Sequence, residues 1–135
     1  MEQGPNRQAP AVKRVDWAKV VAPLAAHPDR HPASLHRRKE PAYWFASYVK
    51  GDLAGIGCLM RLPGNRWRLC GLFVLPDHQG AGIGTGLIIH RYRFAALRGA
   101  KVIDTTTARV SMFERLGFMR VEKFLHGDRL ERRLR

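Results

Sequence analysis

Residues 73–86 read Phe-Val-Leu-Pro-Asp-His-Gln-Gly-Ala-Gly-Ile-Gly-Thr-Gly, with glycines at the alternate positions 80, 82, 84 and 86. An apolar run ends at Pro76. Beyond the glycines, Ile88, Ile89, Tyr92, Ala95 and Ala96 fall on one face at helical spacing. The stretch is therefore a strand, a glycine-rich loop and the start of a helix. Free backbone amides at a helix start, with the positive end of the helix dipole behind them, bind phosphate. Glycines let the chain approach the phosphate without a Cβ in the way. Two familiar phosphate loops are excluded by counting. A dinucleotide fingerprint needs glycines at offsets 0, 2 and 5, and the third position here is Thr85 or Leu87. A P-loop ends in Gly-Lys-Ser/Thr, and this loop holds no lysine.

Working outward, Tyr43–Val49 and Leu53–Leu62 read as strands joined by the turn Lys50-Gly51-Asp52. Pro63-Gly64-Asn65 turns into a third strand, Trp67–Leu75, completing an antiparallel meander. Cys58 and Cys70 are equidistant from Gly64, which sets them opposite each other across that hairpin unless a bulge shifts the register. The helix after the loop runs to about Arg98, and its second apolar stripe (Leu87, Phe94, Leu97) predicts cover on both sides. Lys101–Thr106 is a fourth strand, Ala108–Leu116 a short helix, and Phe118–Phe124 and Arg129–Leu134 the last two strands. Before the meander, residues 1–14 read as a loose basic arm with a short strand at Ala11–Val15. Asp16 caps a helix through Trp17, Val20, Val21 and Leu24, and residues 27–41 form a loop with one helical turn. Residues 15–135 form one domain.

Two stretches resemble the GCN5-related N-acetyltransferases. Val74-Leu75-Pro76-Asp77-His78-Gln79-Gly80-Ala81-Gly82-Ile83-Gly84 is similar to that family's Gln/Arg-x-x-Gly-x-Gly/Ala signature after a Val-x-Pro strand end. Met112-Phe113-Glu114-Arg115-Leu116-Gly117-Phe118 is similar to its second signature. The resemblance spans residues 42–134 and implies an α/β (α+β) fold. Its mixed, largely antiparallel sheet would have about six to seven strands, with helices on both faces and a shortened N-terminal part. It implies an N-acyltransferase using acetyl-CoA as co-substrate and no metal. The amides of Gln79, Gly80, Ala81, Gly82, Ile83 and Gly84 would hold the coenzyme A pyrophosphate, with the Thr85 hydroxyl beside them. The backbone of Phe73 and Val74 would pair with the pantetheine arm where two strands splay, and an amide of that strand would polarise the acyl carbonyl. Direct attack of an amine on the thioester would follow, the protein mainly positioning the two.

The resemblance breaks at the chemistry. The second signature usually carries a tyrosine that protonates the departing thiolate; the aligned residue is Phe113, which lines the coenzyme A site but has no proton to give. Thr106 stands where relatives often have asparagine. Ser111 either donates a hydrogen bond or holds a water there, or is a solvated helix serine. Asp104, an acid inside a strand, either faces the cleft as a base or water holder or pairs with a neighbouring arginine. His78 and His90 read as loop and helix-surface residues, and His27, His31 and His36 lack metal-ligand spacing.

The chain has 135 residues, 45% of them apolar and 26% charged, enough for one core without disulfides. No apolar run approaches the roughly 20 residues that cross a bilayer, and the first residues lack a signal peptide's apolar core. Two cysteines make neither a disulfide framework nor a four-cysteine zinc site. The expectation is a cytoplasmic, membrane-free protein. Its 24 basic against 11 acidic residues give a net charge of +13. Arg91, Arg93, Arg98 and Lys101 follow the loop and suit coenzyme A's additional 3′-phosphate. Arg30, Arg37, Arg38 and Lys39 lie on the acceptor side of relatives, and Arg129, Arg132, Arg133 and Arg135 close the chain. Such charge suits a polyanionic acceptor, DNA or RNA or a nucleotide, on which Trp44 or Trp67 would stack if exposed; core aromatics are the other reading of both. A solvated basic surface is the alternative. So is a binding module that keeps the fold without the chemistry. Homodimers are common in the family.

Overall fold

The computed structural model describes residues 11–16, 42–125 and 127–134. Among these, seven strands form one sheet: β1 (Ala11–Val15), β2 (Ala42–Val49), β3 (Asp52–Leu62), β4 (Arg66–Val74), β5 (Val102–Thr107), β6 (Met119–Phe124) and β7 (Gly127–Arg133). Their order is β1-β2-β3-β4-β5-β7-β6, and every neighbouring pair is antiparallel except β4 and β5. Two helices accompany it, α1 (Ile83–Leu97) and α2 (Val110–Arg115). The parallel pair needs a crossover, and the glycine loop with α1 supplies it.

Strand alternation divides the core. Phe45, Leu59, Trp67, Leu69 and Ile103 share one buried cluster with Ile83, Leu87, Ile88 and Ala95 of α1 and Phe113 of α2. Trp44, Ile56, Cys58, Met60 and Phe73 make a second cluster. Both described helices thus feed one cluster. The helix read through Trp17, Val20, Val21 and Leu24 and the loop read at 27–41 fall outside the described residues.

The strand read at Ala11–Val15 is present and pairs with Trp44–Tyr48 at the sheet edge. Cover of α1's second stripe is partial: its buried residues are Ile83, Leu87, Ile88, Arg91 and Ala95, Phe94 packs half-buried against the core, and Leu97 is 85% exposed. Of their two readings, Trp44 and Trp67 take the core one. Of the basic tail, Arg129 and Arg133 approach Glu131, Arg132 donates to the Leu116 carbonyl and lies over the Tyr92 ring, and Arg135 lies outside the described residues.

Cys58 and Cys70 do face each other across β3 and β4, both unbridged. Two residues further along, Ile56 pairs with Phe73. Gly57 on β3 therefore opposes both Gly71 and Leu72 on β4, a bulge with Gly71 at φ +63°.

Candidate active site

The site grows from the place where β4 and β5 part. They pair over Arg66–Leu69 and Val102–Thr105 only. At the last paired position the Thr105 hydroxyl donates to the Leu69 carbonyl at 2.9 Å, tying the apex. Past it a cleft of about 860 Å³ opens, within the size range of small-molecule sites. The β4 wall runs from Cys70 to Val74, Thr106 and Thr107 face it from β5, and Met112 and Phe113 close it from α2. The mouth is the glycine loop and the first turn of α1.

That turn has no side-chain cap and no acid. Its N-cap is Gly82, at φ +80° and ψ 9° in the left-handed region, where an L side chain would be strained. Nothing lies within 4 Å of a Cβ built on Gly80 or Gly82, so the backbone there is open to a ligand. The Gln79 amide group donates to the Val74 carbonyl at 3.2 Å and pins the loop to the end of β4. The head of α1, from Gly82 to Thr85, therefore borders a cleft whose lining residues include no carboxylate.

Of the coenzyme A residues read from the sequence, Phe73, Val74, Gln79, Gly80, Gly82, Ile83, Gly84, Thr85 and Phe113 all line this cleft. Ala81 does not; it is an exposed loop residue. Phe113 is 4% exposed and meets Phe118 edge-on, ring centres 5.3 Å apart.

The two catalytic candidates are not brought to the cleft. Ser111 is exposed on α2 and outside the lining. Asp104 is fully buried and takes the second of its two readings. Its Oδ2 accepts from Arg66 Nη1 at 2.7 Å and its Oδ1 from Arg68 Nε at 2.8 Å. Arg68, Asp104 and Glu131 are register partners across β4, β5 and β7, and Glu131 also accepts from Arg66 at 2.8 Å. Hydrogen bonds donated to Glu131 and Asp104 raise the Arg66 guanidinium above its usual value, and the bond to Asp104 does the same for Arg68. This network is a cross-strand staple.

Among the loop-following basic residues, Arg93, Arg98 and Lys101 do not line the cleft; Arg98 lies over the Phe94 ring. Arg91 does line it, from inside the core. Its Nε donates to the Leu87 carbonyl at 3.1 Å, and its Nη1 to the carbonyls of Cys58 at 2.7 Å and Cys70 at 3.1 Å. Burial lowers this guanidinium to about 10, against only the opposing influence of the Cys70 and Cys58 thiols. The Cys58 thiol itself is raised, chiefly by its hydrogen bond with Cys70 and by burial. Arg109, ahead of α2, is the other basic residue on the lining. Sequence reading missed both roles. The Arg91 signal was present, since Ile83, Leu87, Arg91 and Ala95 recur every four residues along the buried stripe. Nothing local marked Arg109.

The acetyltransferase (GNAT) family model matches residues 11–118, most of the chain. The chain belongs to the GNAT acetyltransferase family. Solved GNAT structures share its fold. An IAA acetyltransferase from Bacillus cereus superposes with a TM-score of 0.75 at 18% identity, over 93% of this chain and 100% of its own. An acetyltransferase from Bacillus subtilis in complex with CoA gives 0.73 at 16%, over 94% and 100%. The PaiA N-acetyltransferase from Thermoplasma acidophilum, in complex with coenzyme A, gives 0.73 at 10%, over 94% and 100%. No curated protein matches the sequence. As a GNAT protein the chain is of an acyltransferase class. No described helix is long and apolar enough to cross a membrane.

Proposed function

We propose that this GNAT protein transfers an acetyl or other acyl group from its coenzyme A thioester to an amine, by direct attack of the amine on the thioester carbonyl. One observation carries the reading: the cleft left where β4 parts from β5 runs into the uncapped first turn of α1. A diphosphate suits that turn, which offers amides, a positive dipole end and no competing acid. The amides of residues 80–84 would hold it, with the Thr85 hydroxyl adjacent, while the Gln79 N–H donates to the Pro76 carbonyl at 3.4 Å. Past Leu69 β4 no longer pairs with β5, and the pantetheine arm would run along that edge beside Phe73 and Val74. The bulge at Gly71 and Leu72 turns β4 out of register beside the apex, which suits an amide there to polarise the acyl carbonyl. The coenzyme A complexes of the Bacillus subtilis and Thermoplasma acidophilum relatives support this placement.

Neither Ser111 nor Asp104 is assigned a proton transfer, and Phe113 offers no proton. The chain's contribution is therefore orientation and electrostatics. For the acceptor we propose a polyanion bearing an amine, nucleic acid or a nucleotide. The net charge of +13 and a cleft carrying Arg109 with no carboxylate favour it.

A second reading, a coenzyme A-binding module without turnover, is favoured by Phe113 alone. Thermal shift with acetyl-CoA and thiol release across an amine panel test both. Stabilisation with thiol release supports the transferase, stabilisation without release leaves the module, and neither removes both. DNA or RNA binding whose log K falls steeply with log salt supports the polyanion; negligible affinity at about 50 mM salt rules it out.

A further inference from the structure

Arg91 is a charged side chain 1% exposed, and its surroundings do not balance its charge. Its three bonds are to neutral carbonyls, of Leu87 on α1, Cys58 on β3 and Cys70 on β4. No carboxylate among the described residues pairs with it; Asp104 is taken by Arg66 and Arg68. A buried cation without a counter-ion is costly, and this fold makes room for it. A Cβ on Gly57 would stand 2.8 Å from the Arg91 Cζ and Nε atoms. The guanidinium occupies the space that a side chain at residue 57 would fill, beside the β4 bulge.

The same group reaches the apex of the cleft. Cys70, whose carbonyl it holds, is the first residue of β4 beyond the last pairing with β5. Its three bonds use Nε and Nη1, leaving the Nη2 amino group, and Arg91 is part of the cleft lining. The other charged or titratable groups on that lining are Cys70 and Arg109; Cys58 packs against Arg91 from β3. Across the cleft stands Phe113, where a proton donor is missing.

We infer that Arg91 supplies the positive charge that stabilises the departing coenzyme A thiolate, in place of a proton donor at residue 113. This rests on the proposed function. When the amine nitrogen bonds the acyl carbon, the carbon–sulfur bond breaks and its electron pair goes to sulfur. The amine proton passes to solvent, and the thiolate leaves unprotonated beside the guanidinium. A fixed charge in a water-poor site is worth far more than in bulk water. Lowered to about 10, Arg91 remains charged at neutral pH. The missing counter-ion is thus supplied by the reaction itself, at the moment negative charge develops.

The test reads the thiol, not turnover. Coenzyme A is bound to the protein and its thiolate absorbance near 232 nm followed against pH, with the desulfo-coenzyme A complex as blank to remove protein thiols. In the native protein the bound thiol titrates at least one pH unit below free coenzyme A. Arg91→Met abolishes most of that shift, and Arg91→Lys keeps at least half. A purely structural arginine would alter melting temperature or affinity but leave the thiol midpoint where it is. A native midpoint equal to that of free coenzyme A overturns the inference, as does an Arg91→Met midpoint equal to the native one. Should Arg91→Met not fold, the native titration decides alone. Tight binding with an unshifted thiol defeats this inference only, whereas absence of binding defeats the proposed function beneath it.

Discussion

A methyl group added to Gly57 would collide with the Arg91 guanidinium, so this pair is a lock between β3 and α1. Gly57→Ala is expected to cost roughly 1–3 kcal/mol by overpacking, and the cost should shrink when Arg91→Met is added. Chemical denaturation of the two single variants and the double variant gives the coupling; equal and additive losses would contradict the contact. Asp104 makes a second residue-scale prediction. Its carboxylate is buried but its arginine partners are about one-third exposed, so Asp104→Asn should cost about 1–3 kcal/mol rather than the full penalty of an orphaned buried charge. Activity per folded molecule should hold, because Asp104 is not on the cleft. A stable Asp104→Asn protein without turnover would return Asp104 to the chemistry.

At the scale of elements, α1 carries both the ligand turn and the core stripe. His90, on its middle turn, packs edge-on against Phe45 at 5.5 Å. Burial, with the charge of Arg93, lowers its pKa. The unfolded chain then takes up a proton at about pH 6.5 that the folded chain resists. Stability is complete above that pH and falls as pH drops toward the folded value. The melting temperature should therefore decline between pH 7.5 and 5.5 more steeply in the native protein than in His90→Gln; parallel curves would contradict it. The meander, the loop and α1 were readable because turn residues and strict periods mark them: Lys50-Gly51, Pro63-Gly64-Asn65 and the alternating glycines. The Cys58–Cys70 opposition followed from hairpin symmetry alone. The β4 bulge was not readable, since its register depends on how Gly57, Gly71 and Arg91 pack together, which is tertiary information. The error about α1 had a similar cause. Leu97 looks like core by composition, yet Arg91 lies on the buried stripe while Leu97 lies off it. Asp104 was legible only as an anomaly, because its arginine partners lie about 36 and 38 residues away in sequence.

For the whole molecule, the sheet acts as a hinge-like frame in which one parallel pair fails to close. The strands β1 to β4 form one side, β5, β7 and β6 the other, and the gap between them is the site. Its electrostatics are one-signed: amides at the α1 head, Arg91 at the apex, Arg109 at the rim. Part of the remaining basic charge is internally paired, since Arg66, Arg68, Arg120, Arg129 and Arg133 all meet acids. Nucleic-acid affinity, if it reflects the acceptor, should therefore survive Arg133→Ala almost unchanged and weaken severalfold on Arg109→Ala, read by fluorescence anisotropy at fixed salt. The reverse ranking would move the polyanion away from the cleft. The central claim is that the first turn of α1 grips a diphosphate, and calorimetric titration of coenzyme A into the native protein and into Gly82→Val tests it. One molecule should bind per chain with a Kd of roughly 1 μM to 1 mM, the span usual for enzyme substrates, and Gly82→Val should weaken it at least tenfold while melting cooperatively. No heat in the native protein, or equal affinity in a folded Gly82→Val variant, would contradict the account.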